Sequence, residues 1–216
     1  MRRVGHLLNA NDFATGLNAL DVEIGRNVWL SPYTPIILLS AGGYLAVAFL
    51  GNRESTGDLD YLLEPQWAYD DDVTKPLSES IKQTGRRIGL GDNWANEEMA
   101  FFVPSSNREY LFKEAVKQNI VLWGGMNIKV LAVPLEWALE RKLRRIHHQM
   151  QDNKRDSDLN DALALLRYLK EKKGSLLDRH YIQRLNICSR ELPPDEETMD
   201  KIVVAYREKF KEEIFA

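Results

Sequence analysis

Only one cysteine, Cys188, occurs in the 216 residues. A lone thiol excludes an intramolecular disulfide and a cysteine-based zinc site, and it favours a reducing compartment. Long apolar runs are also lacking. The longest, Ile36 to Leu50, contains a glycine pair and is too short to cross a bilayer. The opening residues, Met1-Arg2-Arg3-Val4-Gly5-His6, have no apolar core of the kind a secretory signal needs. A soluble, cytoplasmic protein with no membrane partner is therefore expected. Neither sign of charge dominates: 29 Lys and Arg stand against 32 Asp and Glu, for a net −3, so composition as a whole makes no case for nucleic acid. Histidine is scarce too, and the adjacent pair His147-His148 would point about 100° apart on a helix, which prevents joint chelation of one ion.

What is present is enough apolar content, 44%, to bury a good core, in one domain or in a catalytic core with an appended helical part. The charge is unevenly placed. Glu54 to Asp72 holds seven acids and no Lys or Arg, whereas Arg141 to Arg190 holds thirteen Lys and Arg against six acids, and Glu191 to Ala216 is acidic again. An acidic segment holding metal opposite a basic helical one would suit a polyanionic substrate. Solvated faces are the alternative, and for the tail they are the preferred reading.

The stretch Ile36 to Leu63 organises the rest. Four β-prone residues, Ile36 to Leu39, run into Ser40-Ala41-Gly42-Gly43, where a glycine pair lets the backbone turn sharply and lie close to a ligand. Tyr44 to Leu50 is apolar on every side and reads as a buried helix, with Gly51-Asn52 as its stop. A second strand follows. In it Asp58 and Asp60 stand two apart, so both carboxylates project from one face with Cα atoms about 7 Å apart, while Leu59 and Tyr61 face the other way. Paired carboxylates beside the amides of a glycine turn are what a protein needs to hold Mg²⁺ against nucleotide phosphates.

Gly42-Gly43, Arg53, Ser55-Thr56 and Asp58-x-Asp60, in that order, resemble the signature of the DNA-polymerase-β-like nucleotidyltransferase superfamily, and more narrowly its AbiEii-type branch. The resemblance covers about an eighth of the chain. It implies an α+β fold: a nucleotidyltransferase-like core with a small mixed sheet and flanking helices over residues 1–133, and a C-terminal helical subdomain over 134–216. It also implies a metal-dependent transfer of a nucleoside monophosphate from a nucleoside triphosphate to a hydroxyl acceptor, with Mg²⁺ or Mn²⁺ held by Asp58 and Asp60. RNA, a protein side chain and a small molecule all remain open as the acceptor. The Gly42-Gly43 turn would cradle phosphates, Ser40, Ser55 or Thr56 would hydrogen-bond them, and Arg53 would either neutralise their charge or brace the loop.

The same branch often carries a lysine on the first C-terminal helix and an Arg-x-Lys-Asp-x-x-Asp segment opening the next. Lys142 matches the first; Arg155, Asp158 and Asp161 match the second, with Ser157 where the lysine is expected and Lys154 nearby. Lys142 is expected to bind triphosphate. For Asp158 and Asp161, at the expected start of a helix, capping of the backbone N–H groups and salt bridging are at least as good a reading as a place in the site.

The remaining pattern predicts a first helix capped by Asn11 and stopped at Gly25, with Phe13, Leu17, Leu20 and Ile24 on its buried face. A helix over Leu77 to Gly89 follows, ending in Arg86 and Arg87. The segment Gly91 to Asn96 resembles an Asp-Trp-x-Asn segment of the same branch. A short helix or irregular stretch, Glu97 to Val103, and a helix from Asn107 to Gln118 come next. Then a hairpin is formed by Ile120–Trp123 and Ile128–Val133, giving a sheet of at least four strands. Helices follow over 134–146, from Asp158, over 178–188 and over 194–215. Neither hairpin strand contains an acid that could serve as the third carboxylate the superfamily usually supplies. Two classes of function therefore stay open: a nucleotidyltransferase, and a catalytically inactive nucleotide-binding or interaction protein on the same fold.

Overall fold

The structure, a computed structural model, describes residues 7–148, 155–187 and 191–216. Lys154 and Cys188 fall outside that set. The chain divides into two compact units, Met1–Val133 and Pro134–Ala216.

The first unit opens with β1 (Leu8–Asn9), which runs straight into α1 (Ala10–Arg26). The helix starts there because Asn9 accepts from the N–H groups of Asn11 and Asp12 at 2.8 and 3.1 Å, while the Asp12 carboxylate accepts from the Asn9 N–H at 2.9 Å. This reciprocal capping box places the cap two residues before the expected Asn11. Gly25 does not stop the helix; Asn27 ends it, its N–H donating to Glu23 and Ile24 carbonyls.

Next come β2 (Ile36–Ser40) and α2 (Gly42–Leu45), continued by a π turn over Ala46–Leu50 that Gly51 ends at φ +64°. The expected apolar helix is thus half π-wound. It is also less buried than expected, since Ala48 is exposed. A short polar loop leads into β3 (Ser55–Thr56) and β4 (Leu59–Leu63). The helix α3 spans Asp71–Ile88, six residues longer at its start than Pro76 had suggested. Asp70 caps it by accepting from the Asp72 N–H, and Asp71 and Asp72 place negative charge at the positive end of the helix dipole. The carbonyl that Pro76 leaves without a helical donor belongs to Asp72, an exposed residue open to water.

The unit is completed by β5 (Ala95–Asn96), a 3₁₀ turn over Glu98–Phe102, α4 (Ser105–Gln118), β6 (Val121–Gly124) and β7 (Ile128–Ala132). Five strands form one mixed sheet in the order β5-β4-β2-β7-β6, with β2 antiparallel to β4 and parallel to β7, β5 parallel to β4, and β6–β7 a hairpin. β1 and β3 make a separate antiparallel pair. The α+β class and the small mixed sheet with flanking helices are as expected.

Strand alternation divides the sheet's side chains. Ile36, Leu38, Leu59, Tyr61, Leu63, Ile128 and Val130 share a core with Phe13, Leu17, Leu20 and Ile24 of α1, Val73, Leu77 and Ile81 of α3, and Trp94. Leu39, Leu62 and Leu131, also buried, face the other way. On the rest of the unit the 3₁₀ turn packs against β4 and α4 against β7.

The second unit is helical: α5 (Leu135–His148), α6 (Arg155–Lys173), α7 (Arg179–Gln183) and α8 (Glu196–Phe210). α5 and α6 pack along one another. α7 is shorter than the expected helix over 178–188, and α8 ends at Lys211 in the left-handed conformation. The C-terminal residues return to pair with Leu177, whose N–H donates to the Ile214 carbonyl and whose carbonyl accepts from the Ala216 N–H, both at 2.9 Å. Among the described residues, no helix is long and apolar enough to cross a membrane.

Candidate functional site

The site is built where β2 leaves the sheet beside β4. Ser40 pairs with Tyr61 across the two strands, and the Ser40 hydroxyl donates to the Asp60 carbonyl at 2.7 Å. Ser40 is fully buried, so its hydroxyl braces the strand that carries the aspartate instead of meeting a phosphate as expected. The chain then turns through Gly42 at φ +63°, and a Cβ on that residue would stand 3.9 Å from Asp60 Oδ2. The Asp60 carboxylate therefore lies against the glycine turn. Gly43 faces Thr56 so closely that a Cβ would overlap the Thr56 hydroxyl. Ser55 and Thr56 are held in turn by β1, in register with Asn9 and Leu8.

Because Leu59 and Tyr61 point into the core, Asp58 and Asp60 project together from the opposite face, and both are partly exposed. Arg53, in the loop before them, is also partly exposed. β5 adds a neighbour that sequence reasoning did not place in the site. Asn96 stands opposite Asp60 in the β4–β5 register, and its amide nitrogen donates to Asp58 Oδ2 at 3.2 Å. Asn96 Oδ1 in turn accepts from the Glu98 N–H at 2.9 Å. The signal for this residue was Trp94, two positions earlier. Its indole is buried and donates to the Ile81 carbonyl at 3.0 Å, and its own carbonyl accepts from the Leu59 N–H at 2.8 Å, which locks β5 to β4.

The next acid, Glu97, follows β5 and lies near Leu63, Tyr61 and Arg108. Burial raises its pKa above the usual carboxylate range, partly offset by Arg108 and by a hydrogen bond from the Leu63 N–H. Its charge in turn adds to burial in raising the phenol of Tyr61, which faces the core. On the Asp58–Asp60 face, the register from β4 through β2 to β7 aligns Leu62 with Leu39 and Leu39 with Leu131, with Lys129 next along β7 on that face. β7 thus gives that face Leu131 and no acid, with Lys129 level with Ile37 and away from the glycine-turn end of the sheet. Among the described residues no group of three or more His, Cys, Asp or Glu is placed to hold a metal ion.

In the second unit, Lys142 is buried, and its ammonium donates to Asp158 Oδ1 at 2.8 Å and to Asp161 Oδ2 at 2.5 Å. Arg145 also donates to Asp158 Oδ1, at 2.6 Å. The expected triphosphate-binding lysine is therefore committed to joining α5 and α6. α6 begins at Arg155, so Asp158 lies within its first turn instead of capping it, and the salt bridging expected as the other reading of Asp158 and Asp161 is what the two residues do. The Arg155 backbone opens the helix, and its side chain lies outside the described residues.

Residues 48–213 match the model of a family described as "Domain of unknown function (DUF7582)". The chain belongs to this family. The DUF7582 match begins within the π turn, so it takes in Asp58, Asp60, Asn96 and most of the helical unit, and leaves out β2 and the glycine pair. No curated protein and no solved structure matches the chain.

Within the DUF7582 match, the basic helical segment is largely paired off inside its own unit. Arg141 meets Glu191, Arg144 meets Glu140, Lys170 meets Glu212, and Arg179 meets Glu196 and Asp200. Four of those acids belong to the tail, which is therefore a source of partners and not merely a solvated face. Arg144 also donates to the Leu185 carbonyl at 2.7 Å and to the Glu191 carbonyl, while Glu140 accepts from the Ile187 N–H at 2.6 Å, which pins the loop after α7. In the first unit Arg86 is likewise taken, by both oxygens of Asp92, and Arg87 by Glu23. His147 is partly buried, and its Nδ1 lies 3.1 Å from the Thr198 hydroxyl.

Proposed function

We propose that the face formed by Asp58, Asp60 and the Gly42-Gly43 turn binds a nucleoside triphosphate with Mg²⁺ or Mn²⁺ and serves nucleotidyl transfer to a hydroxyl acceptor. The observation that carries this reading is the contact between the glycine turn and the acidic strand, with Gly42 against the Asp60 carboxylate and Gly43 against Thr56. A turn without side chains lets phosphate oxygens come up to the backbone at the place where the carboxylates would share a cation. The donor set fits such an ion. Mg²⁺ keeps most of its shell for water and phosphate and is commonly held by only one or two carboxylates, which is what Asp58 and Asp60 provide. The ion would supply compensation for the negative charge that builds on the phosphates as pyrophosphate leaves. Asp58 and Asp60 are proposed as its ligands, with Arg53, Ser55 and Thr56 in the adjoining loop as phosphate partners.

A second reading, binding without transfer, is favoured by one observation: the strands to either side of Asp60 on this face present Asn96 from β5 and Leu131 from β7, and neither is an acid that could accept the proton of an attacking hydroxyl. The two readings separate in one series. Wild-type protein and the Asp58→Asn and Asp60→Asn variants are given labelled triphosphate with Mg²⁺ or Mn²⁺, and binding and transfer to RNA, to the protein itself and to small hydroxyl acceptors are measured alongside thermal melting. Transfer that either substitution abolishes, with the melting temperature unchanged or raised because neighbouring like charges are relieved, supports the enzyme. Binding without transfer supports the second reading. Absence of nucleotide binding in the wild type with either metal defeats both.

A further inference from the structure

We infer that Asn96 is a positioning residue that sets the Asp58 carboxylate for a single divalent cation, an inference that rests on the metal–nucleotide reading of this face. Three contacts define its role. Asn96 Oδ1 accepts from the Glu98 N–H at 2.9 Å, so the side-chain amide cannot turn over without abandoning that donor. Its nitrogen is thereby committed to Asp58 Oδ2, at 3.2 Å. The backbone of β5 is fixed by pairing with Leu59 and Asp60 of β4 and by the preceding Trp94, whose buried indole donates to the Ile81 carbonyl of α3.

The consequence is directional. A carboxylate on a short side chain rotates about its terminal bond, and one held oxygen fixes the plane in which it meets a cation. Outer hydrogen bonds of this kind commonly govern metal affinity without touching the metal. Charge is the second consequence. Asn96 stands across from Asp60 and beside Asp58, the place at which an acid would make a three-carboxylate set, yet it contributes a donor and no charge. Two carboxylates then match one divalent ion, whose remaining shell is left for phosphate oxygens and water.

The test is a titration of the 216-residue chain with Mn²⁺, followed by electron paramagnetic resonance with and without a non-hydrolysable triphosphate, with thermal melting on the same samples. The wild type is expected to bind one Mn²⁺ per chain. Asn96→Ala is expected to weaken that binding by about tenfold or more, with only a small fall in the metal-free melting temperature from the lost acceptor for the Glu98 N–H. Asn96→Asp keeps an acceptor for the Glu98 N–H, which separates folding from positioning. It should melt lower without metal, because a third carboxylate joins the other two, and should recover with Mn²⁺ as a second ion binds. Wild-type affinity in Asn96→Ala, or a single ion at wild-type affinity in Asn96→Asp, overturns the inference. If Asp58→Asn abolishes Mn²⁺ binding while both Asn96 variants bind as the wild type does, only the role of Asn96 falls. If the wild-type chain binds no Mn²⁺, the metal–nucleotide reading falls with it.

Discussion

Gly42 and Gly43 are neighbours held to glycine by different forces. Gly42 sits at φ +63°, where a side chain is strained even though a Cβ would find only an ordinary contact, with Asp60 Oδ2. Gly43 has no such backbone constraint; what excludes a side chain is Thr56. The two therefore respond differently to the same substitution. Gly42→Ala is expected to cost about 1–2 kcal/mol through the left-handed backbone, whatever stands at position 56. Gly43→Ala is expected to cost about 1–3 kcal/mol through overpacking. Thr56→Gly, which removes the atoms in the way, should recover much of the second loss and none of the first. Urea melts of the three single and two double variants measure this directly. Equal recovery in both pairs would show that the turn deforms as a unit, and the close approach between turn and loop would then lose its basis.

At the scale of elements, the most heavily committed contact of the helical unit is the ion cluster between α5 and α6. Lys142 and Arg145 face Asp158 and Asp161, two charges against two, with the Lys142, Asp158 and Asp161 side chains only 7%, 3% and 1% exposed. Taking charges out of water is costly, and removing one partner leaves the rest uncompensated. Lys142→Met is therefore expected to destabilise the unit by about 3–5 kcal/mol, read as an earlier loss of helical circular dichroism. A variant that melts like the wild type but no longer binds triphosphate would return Lys142 to the ligand.

The sequence could not separate these outcomes. A lysine on an amphipathic helix looks the same whether it meets a phosphate or two aspartates sixteen and nineteen positions away. What periodicity and turn chemistry determine locally was legible: the strands on either side of the glycine pair, the β6–β7 hairpin, the buried face of α1, and the projection of Asp58 and Asp60 to one side. What depends on partners distant in sequence was not. β5 is two residues long, too short for any alternation to show, and its place in the sheet comes from Trp94 packing beneath it. The start of α3 was hidden because Pro76 reads as a boundary, whereas an Asp70 cap and an acidic first turn offset the single donor it removes.

Over the whole molecule, charge decides which acceptors are plausible for a site of this kind. The excess of Lys and Arg between positions 141 and 190 suggests a surface for a polyanion, but the tail answers it through Glu191, Glu196, Asp200 and Glu212, while Glu213 takes Arg207. Binding to nucleic acid draws its free energy from cations that can displace counterions, and a guanidinium already bonded to carboxylates must first give them up. The wild-type chain is therefore expected to bind single-stranded RNA weakly and with a shallow dependence on salt. Replacing Glu196, Asp200, Glu212 and Glu213 by their amides releases Arg179, Lys170 and Arg207 and shifts the net charge from −3 to +1, four negative charges being removed. That variant should bind RNA more tightly, with a steeper salt slope. Its stability should fall only modestly, because exposed pairs contribute from nothing to about 1 kcal/mol each. Fluorescence anisotropy with labelled RNA across a salt series measures both quantities. Tight, strongly salt-dependent binding by the wild type would mean that cations outside these pairs carry a nucleic-acid surface, and RNA would then become the first acceptor to try at the Asp58–Asp60 face.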